Sequence, residues 1–409
     1  MSIALRSLII PIFGHRLGLS DTSIGVITSL AGLGRIAVAF PTGSLTEAYG
    51  VRLVMMWGLS VHLASAVIAI VPNAIFMSVS SLVFGCGIGL FLVARGLLLT
   101  RVVDRPVRGR LMSLVSGGDR WANVIVPFAG GLMIQYLGVT PSWCAIVPLV
   151  SGCILCVWRS LVVRSTCVKI LTETNSREVE NPPFALCDVV ALIQENRAVL
   201  IGVGGYAMLL TSLRSSRKLL LPLAAIHANA SPAMVGTILG VSFFVDAVLF
   251  FVGGVVSDRY GRRFAAIPTS FNMGVAFLVL SFSSSIMSIF FSAVFFGVAD
   301  ALGAGLLNTL CGDCIPKKAS GRFVGLFRVM LDSGQFIGPL LVAGLSAMFS
   351  FRLACIGIGL IGIFNAWWAW KVLPFHLETT ETLELTGGST TEACPEREPD
   401  DREPRAEEK

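Results

Sequence analysis

The chain has 409 residues and a net charge of +6, with 54% hydrophobic and 14% charged residues. A chain this apolar cannot hide its hydrophobic surface inside a soluble globule, so the composition excludes an ordinary soluble domain and implies a membrane as solvent. The charge is unevenly divided: residues 376–409 hold eleven acidic and four basic residues, which leaves +13 on the remainder. A nucleic-acid partner is not needed to explain this balance.

Twelve membrane helices are predicted. Helix 1, at 2–16, has 15 residues and extends only ~22 Å against a hydrocarbon core of ~30 Å. We therefore expect helix 1 to be truncated, lacking about 15 residues before Met1, and to belong to the fold, not to a cleaved signal. Helices 2 to 12 are hydrophobic runs at 22–48, 51–71, 74–101, 108–137, 141–163, 197–226, 231–257, 264–283, 285–312, 320–348 and 350–373.

The chain is built twice from one unit. Gly254-Val-Val-Ser-Asp258-Arg259-Tyr-Gly261-Arg262-Arg263 has a degraded copy 211 positions earlier, at Gly43-Ser-Leu-Thr-Glu47-Ala-Tyr-Gly50-Val-Arg52. Offsets of 211 and then 212 also align the following pairs: Arg6 with Arg217, Ser20 with Ser231, Gly25 with Gly236, Gly85 with Gly297, and Pro127 with Pro339. Two parallel repeats in an apolar chain are typical of a transporter with two bundles around a midplane site.

The repeat and the composition predict the domain organisation. We expect an N-terminal six-helix bundle at 1–163, a polar central linker at 164–196 and a C-terminal six-helix bundle at 197–373, followed by a disordered acidic tail at 374–409. Lys and Arg gather in alternate loops, which places both termini in the cytosol. We predict a monomeric, multi-pass protein of the plasma membrane.

The segment from Gly254 to Arg263 occupies a short loop between helices 8 and 9 and resembles the loop motif of the major facilitator superfamily. The resemblance covers residues 1–373 and implies a major facilitator fold of two six-helix bundles related by a pseudo-two-fold axis. In that family the loop helps to hold the outward-open state. We call its residues here the conformational latch: Gly254, Asp258, Arg259, Gly261, Arg262 and Arg263 in the second copy, and Gly43, Glu47, Gly50 and Arg52 in the first.

The two copies of the latch differ. Glu47 replaces the aspartate in the first copy, Ala48 replaces a basic residue and Val51 replaces an arginine. A further resemblance, to the twelve-helix drug:proton antiporter branch, rests on Pro127-x-x-Gly130-Gly131 in helix 5 and implies antiport. Kinked and closely packed helices would also explain these glycines.

Six charged residues lie near mid-depth of predicted helices: Arg35, Arg120, Arg214, Asp246, Asp300 and Asp332. An isolated charge there costs several kcal/mol, so each must face a partner or a wet cavity. In the superfamily helices 2 and 11 abut, as do helices 5 and 8. The resemblance therefore implies an Arg35–Asp332 pair and an Arg120–Asp246 pair. These pairs either fix the bundles or take part in transport, where a carboxylate exchanges its arginine for a proton.

Other polar residues are weaker candidates. Arg214, Arg217 and Lys218 share one face of helix 7, and we expect Arg217 and Lys218 to snorkel to the outer interface. Further substrate-lining candidates are Arg95, Asn308 and Tyr206.

No nucleotide-binding loop, catalytic triad or metal-ligand cluster occurs among the four scattered histidines, so we predict neither an enzyme nor a metal site. We predict a secondary active transporter that exports small organic molecules by alternating access, with the lipid bilayer as surroundings and a proton gradient in place of a cofactor. One alternative is an importer or facilitator of an organic anion, because the core is rich in arginine. A second is a non-transporting sensor, suggested by the short helix 1 and the degraded first latch.

Overall fold

A computed structural model describes residues 2–102, 105–164, 193–314 and 320–373. It describes only the backbone of Phe40, Glu47, Asp258 and residues 99–102, 105–115, 160–164 and 320–322. The predicted tail and nearly all of the predicted linker lie outside the described residues, so their character stays a prediction.

Within the described residues the chain forms twelve membrane helices, α1 to α12, which match the predicted helices in number and order. The first six are α1 (Ser2–Arg16), α2 (Asp21–Tyr49), α3 (Val51–Ile68), α4 (Ala74–Val102), α5 (Arg105–Tyr136) and α6, broken into Val139–Cys144 and Ile146–Arg164. Next comes α7, in which Arg197–Val199 and a π-helical turn, Leu200–Gly204, lead into Gly205–His227. The last five are α8 (Pro232–Tyr260), α9 (Arg262–Ser281), α10 (Ile286–Leu302 and Leu306–Asp313), α11 (Ser320–Met348) and α12 (Phe351–Val372).

Ten helices of the described chain are long and apolar enough to cross a membrane. The two others are α1, which has 15 residues, and α5. The helix predicted at 108–137 is present, but its residues with described side chains, 116–136, are less apolar than the ten spans. Its charges explain the difference, since α5 carries Asp119 and Arg120 side by side in its middle.

The repeat is visible in the backbone. Gly18 and Asn229, which are 211 positions apart, both have positive φ, at 69° and 57°. Ser20 and Ser231 follow them, and each hydroxyl accepts a hydrogen bond of 3.3 Å from the N–H three residues on. Such N-caps satisfy donors that the first helical turn leaves unpaired. The same short sequence therefore starts α2 and α8.

Small residues let helices approach closely within each bundle. A Cβ at Gly85 would collide with the backbone carbonyl of Ala31, and a Cβ at Gly297 would lie 2.5 Å from the carbonyl oxygen of Ser242. These two contacts are equivalent under the repeat. Close backbone approach through small residues is a common way to associate helices in lipid.

The two bundles meet along two equivalent interfaces, α2 against α11 and α5 against α8. A Cβ at Gly25 in α2 would lie 3.0 Å from the carbonyl oxygen of Pro339, and one at Gly236 in α8 would collide with the carbonyl of Pro127. Gly25 corresponds to Gly236, and Pro127 to Pro339. The interfaces are thus related by the pseudo-two-fold axis.

Contact between the two bundles along these interfaces differs between the two ends of the membrane-spanning part. We call the end that carries Arg164 and Arg197 the linker end, and the end that carries residues 17–20 and 228–231 the far end. Gly25 and Gly43 are 18 residues apart in α2, as are Gly236 and Gly254 in α8. Since 18 residues make five full turns, both members of each pair lie on one face of their helix.

The members at the far end, Gly25 and Gly236, contact the partner bundle, whereas no described atom lies within 4 Å of a Cβ built at Gly43 or Gly254. The far end is closed further by an ion pair of 3.3 Å between Asp21 and His227. Among the described residues, the bundles are therefore in contact at the far end, and the equivalent faces around Gly43 and Gly254 make no such contact.

Candidate functional site

The interface between α5 and α8 holds a buried ion pair. Nη1 of Arg120 lies 2.6 Å and 2.7 Å from the two carboxylate oxygens of Asp246. The guanidinium also lies over the ring of Phe250, 5.2 Å from its centroid. The Asp246 side chain is 9% exposed, whereas that of Arg120 is 22% exposed. The predicted Arg120–Asp246 pair is confirmed.

The interface between α2 and α11 holds a looser group. Nη1 of Arg35 lies 3.9 Å from a carboxylate oxygen of Asp332 and donates to the side-chain oxygen of Gln335. The other oxygen of Asp332 accepts a hydrogen bond of 3.2 Å from Nε of Arg328. The predicted Arg35–Asp332 pair is confirmed, and Gln335 and Arg328 share it.

A third charge group lies inside the C-terminal bundle. Asp300 in α10 accepts from Nε of Arg214 at 2.7 Å and from Nη1 of Arg217 at 2.8 Å, both in α7. Nη2 of Arg217 also donates to the hydroxyl of Ser242 at 2.8 Å. The Arg217 side chain is 0% exposed, so the expectation that it snorkels was wrong. A carboxylate and a hydroxyl inside the bundle compensate the charge where it lies.

A break in α10 supplies another acceptor. The helix is interrupted between Leu302 and Leu306, and Gly305 has a φ of 76°. At the interruption the carbonyl of Gly303 accepts from Nη2 of Arg214 at 3.0 Å and from the N–H of Leu306 at 3.3 Å. Unwound backbone at membrane depth is tolerated where it is buried in protein or lines a cavity.

The carboxylates of Asp246 and Asp300 belong to one network. Arg120, Arg214 and Arg217 lie within electrostatic reach of both. Protonation or displacement at one carboxylate therefore changes the energy of the other. In such a network, binding of a proton or a ligand at the bundle interface changes the electrostatic energy of the charges inside the C-terminal bundle.

The remaining lining candidates have different surroundings. Arg95 and Asp119 form a pair of 3.2 Å within the N-terminal bundle, and Asp119 is 58% exposed. Asn308, after the break in α10, is exposed and its side chain has no hydrogen-bond partner within the described chain. Tyr206 is fully buried and its hydroxyl donates to the carbonyl of Ala266 at 3.2 Å. Its interpretation as a lining residue was wrong, because it packs between α7 and α9.

The second latch contains a contact that the sequence analysis missed. Nε of Arg262 lies 3.1 Å from a carboxylate oxygen of Asp313 at the end of α10, and its Nη1 donates to Ser257 at 3.0 Å. Arg263 lies over the ring of Trp370, and Arg259 lies over that of Tyr260.

In the latch backbone, Gly50 and Gly261 both have positive φ, at 84° and 96°, which permits the tight turn between helices. The side chains of Glu47 and Asp258 lie outside what the structure describes. Their roles in the latch stay predictions, as does that of Arg52.

Sequence reasoning identified the six mid-depth charges but not all of their partners. Arg214 and Arg217 are three residues apart on one face of α7, which signals a shared acid. Asp300 was the only predicted mid-depth carboxylate without a partner assigned from the resemblance. The sequence could therefore have indicated Asp300 as the acid that Arg214 and Arg217 share. Gln335 carried no comparable signal, because a single amide on a helix face is ordinary.

A cavity of about 260 Å³ lies at the far end, away from these charges. Its walls come from α1, α7, α8 and the loop between α7 and α8. It belongs to the closed end of the molecule, so we assign the functional site to the charge groups at mid-depth.

Comparisons with known proteins agree with this architecture. The family model of the Major Facilitator Superfamily matches residues 1–227 and 207–393. The MFS-type transporter MJ1560 of Methanocaldococcus jannaschii is 27% identical over 148 residues, which cover 36% of this chain and 38% of that protein. Multidrug resistance protein MdtH of Salmonella paratyphi B is 29% identical over 156 residues, which cover 37% of this chain and 39% of the relative. The chain thus matches well under half of either relative's length.

Solved structures show the same fold at low identity. A POT family transporter in complex with a thioalcohol-conjugated peptide has a TM-score of 0.68 and 12% identity, covering 91% of this chain and 95% of its own. A D-xylose-proton symporter has a TM-score of 0.68 and 14% identity, covering 92% and 98%. Because the family model spans nearly the whole chain and both repeats fold as described, the chain belongs to the Major Facilitator Superfamily.

Proposed function

We propose that this transporter exports small organic molecules in exchange for protons, by alternating access. The Arg120–Asp246 pair carries the proposal. It joins the two bundles across an interface that is closed at the far end, and its carboxylate is buried at mid-depth. A buried ion pair is a poor stabiliser compared with apolar packing, whereas a pair at a moving interface is suited to a switch.

The proposed cycle uses the charge of Asp246. When the carboxylate is ionised, its two bonds to Arg120 hold α5 against α8. A substrate that binds from the linker end weakens the pair, so the interface is free to separate at the far end. After the substrate has left, a proton reaches Asp246 from the far end; the pair forms again when that proton leaves at the linker end. A substrate that binds one arrangement more tightly than the other then shifts the equilibrium between them.

The orientation of the cycle is part of the proposal. Basic residues concentrate in the loops at the linker end, so that end faces the cytosol under the positive-inside rule. The described conformation would then be open to the cytosol. We place the protein in the plasma membrane as a monomer. The name of the Salmonella relative, a multidrug resistance protein, supports export of small molecules.

The test is transport in proteoliposomes with and without an imposed pH gradient. Asp246→Asn should abolish gradient-driven transport, because the side chain no longer exchanges a proton. Asp119→Asn is the matched control, since it changes another carboxylate near mid-depth that is exposed and paired within one bundle. Unchanged gradient-driven transport in Asp246→Asn would refute the coupling role.

A double exchange separates coupling from structure. Asp246→Arg with Arg120→Asp keeps the Coulomb attraction of the pair but moves the carboxylate to α5. Expression should recover relative to either single variant, and gradient-driven transport should not. Recovery of both would mean that the pair only fixes the bundles.

The excess of arginine in the core favours a second candidate, an importer or facilitator of organic anions. It predicts anion flux that persists when the pH gradient is collapsed. The same proteoliposome assay decides between the two functions.

A further inference from the structure

Among the residues that the structure describes, Lys218 in α7 is a cation at membrane depth without a hydrogen-bond or ion-pair partner. It is half-buried, and within the described chain its ammonium makes no hydrogen bond or ion pair. It lies nine residues before His227, the last residue of α7, so its Cα is about 13 Å from that helix end. A lysine side chain spans about half that distance, and the far end is closed there. Lys218 therefore does not snorkel to the far interface as the sequence suggested.

The surroundings of Lys218 do not neutralise it. The charges within its electrostatic reach are Arg35, Arg214, Arg217 and Asp300. Three of these are cations, and Asp300 is already bonded to Arg214 and Arg217. Since an uncompensated charge at this depth is costly, the site lacks an anion.

Taken together, the charge groups contain more cations than carboxylates. Apart from the balanced Arg95–Asp119 pair, the described mid-depth charge groups hold six cations and three carboxylates: Arg35, Arg120, Arg214, Arg217, Lys218 and Arg328 against Asp246, Asp300 and Asp332. Two of the cations are more exposed than the acids they contact: Arg214 is 24% exposed against 13% for Asp300, and Arg328 is 36% exposed against 4% for Asp332. Arg217 is buried. The exposed charge of the Arg214–Asp300 and Arg328–Asp332 pairs is therefore mainly positive.

We propose that Lys218 binds the anionic group of the transported molecule, with Arg214 and Arg35 adding to the attraction. This inference rests on the proposed transport function and names its substrate class as small organic anions that carry a carboxylate, phosphonate or sulfonate group. The guanidinium of Arg214 is fixed by Asp300 and Gly303. An ammonium on a flexible stem has three rotatable donors and adapts to different oxyanions.

The inference is tested by ligand-dependent thermal unfolding of the full chain in detergent. The probes are benzoate, phenylphosphonate and benzenesulfonate, and benzamide is the neutral comparison. At least one anion should raise the unfolding temperature more than benzamide does. Lys218→Gln should weaken that anion's binding at least tenfold, and Lys218→Arg should weaken it less. Lys371→Gln, which removes the same charge from the linker end of α12, should leave binding unchanged.

Three results would overturn the inference: stabilisation by none of the three anions beyond that by benzamide, equal binding to Lys218→Gln, or equal weakening in Lys371→Gln. The ligand-free protein gives an independent check. Because Lys218 pairs with no acid in the described part of the chain, Lys218→Gln should not lower the unfolding temperature, and a clear decrease would reveal a structural partner.

Failure of the proposed coupling is distinguishable from failure of this inference. Asp246→Asn should bind the anion that the parent protein binds, since Lys218 is intact, while losing gradient-driven transport. Anion binding with no proton dependence of transport would therefore refute the coupling and leave the anion site standing.

Discussion

The two halves of the chain bury an arginine at the same repeated position and compensate its charge differently. In the C-terminal half Arg217 pairs with the carboxylate of Asp300 at 2.8 Å and donates to Ser242. In the N-terminal half Arg6 donates to the hydroxyls of Ser65, at 3.0 Å, and Ser80. Both side chains are almost completely buried.

Aromatic rings complete the N-terminal arrangement. The Arg6 guanidinium lies 4.4 Å from the ring centroid of Phe84 and 5.0 Å from that of Trp143, where ring quadrupoles attract a cation. Hydroxyls and rings do not take up a proton near neutral pH, whereas a carboxylate exchanges one. At this repeated position, the N-terminal site therefore holds its arginine with groups that do not exchange protons, whereas the C-terminal site contains a carboxylate that does.

We expect the largest effect from removing the carboxylate that pairs with Arg214 and Arg217. Asp300→Asn leaves Arg214 and Arg217 without a counter-charge, and removing one partner of a buried pair costs about 3–5 kcal/mol. We expect most of the protein to be lost from the membrane, or its unfolding temperature to fall sharply, as measured by fluorescence-detected size exclusion of a tagged protein.

The matched change in the N-terminal half is Ser80→Ala. It removes one hydrogen bond to a charged donor, worth about 1.5–3 kcal/mol, while Ser65 and the two rings remain. A smaller loss than that of Asp300→Asn is expected. Equal losses would mean that the two compensations are equivalent.

A second prediction sharpens the comparison between the two interfaces. Gly236→Ala adds a methyl group that collides with the carbonyl of Pro127, and overpacking of this kind costs ~1–3 kcal/mol. We expect the far end to open, so that cysteines introduced as Gln135→Cys and Ala233→Cys cross-link less in a background without other cysteines. In the parent protein these residues are joined by a hydrogen bond of 3.3 Å.

Gly25→Ala is the pseudo-symmetric control. Its Cβ would meet the carbonyl oxygen of Pro339 at 3.0 Å, a less severe contact. A larger loss of cross-linking in Gly25→Ala than in Gly236→Ala would contradict the ranking of the two interfaces.

The smallest expected effect concerns the latch. Asp313→Asn removes the ion pair with Arg262, and a partly exposed pair contributes only ~0.2–1 kcal/mol. Initial transport rates should therefore change by about 1.4- to 5-fold through the balance between conformations. The first half has Val51 in place of Arg262, so Glu47→Gln should change the rate less. A greater effect of Glu47→Gln would show that the first latch is active despite its degraded sequence.

Much of the fold was predictable because the membrane restricts the choices. A spanning segment must satisfy its own backbone hydrogen bonds, so long apolar runs are helices, and their bounds differ little from those predicted. α5 shows where the rule weakens. Its mid-depth Asp119 and Arg120 lower its apolarity, so its hydrophobic run is the weakest basis among helices 2 to 12, and the repeat supports it.

The candidate site was predictable in part. Arg120 and Asp246 were paired through charge sign, the repeat and the helix contacts that the family resemblance implies. The position of a residue along a helix predicts its depth in the membrane, but it does not predict where its side chain points. This applies to Tyr206, Arg217 and Lys218. Snorkelling and internal pairing are both compatible with a cation at that depth, and packing decides between them.

The sequence by itself determined the number of helices, the repeat, and the six charges that must find partners, because burying apolar backbone and charge in lipid leaves few alternatives. Only the tertiary structure decided that Asp300 holds two arginines, that Asp313 meets Arg262 and that Lys218 has no acid within the described chain. These outcomes depend on how helices distant in sequence rotate and pack against each other. A difference of a few ångströms there determines whether a charge is paired inside the protein or left for a ligand.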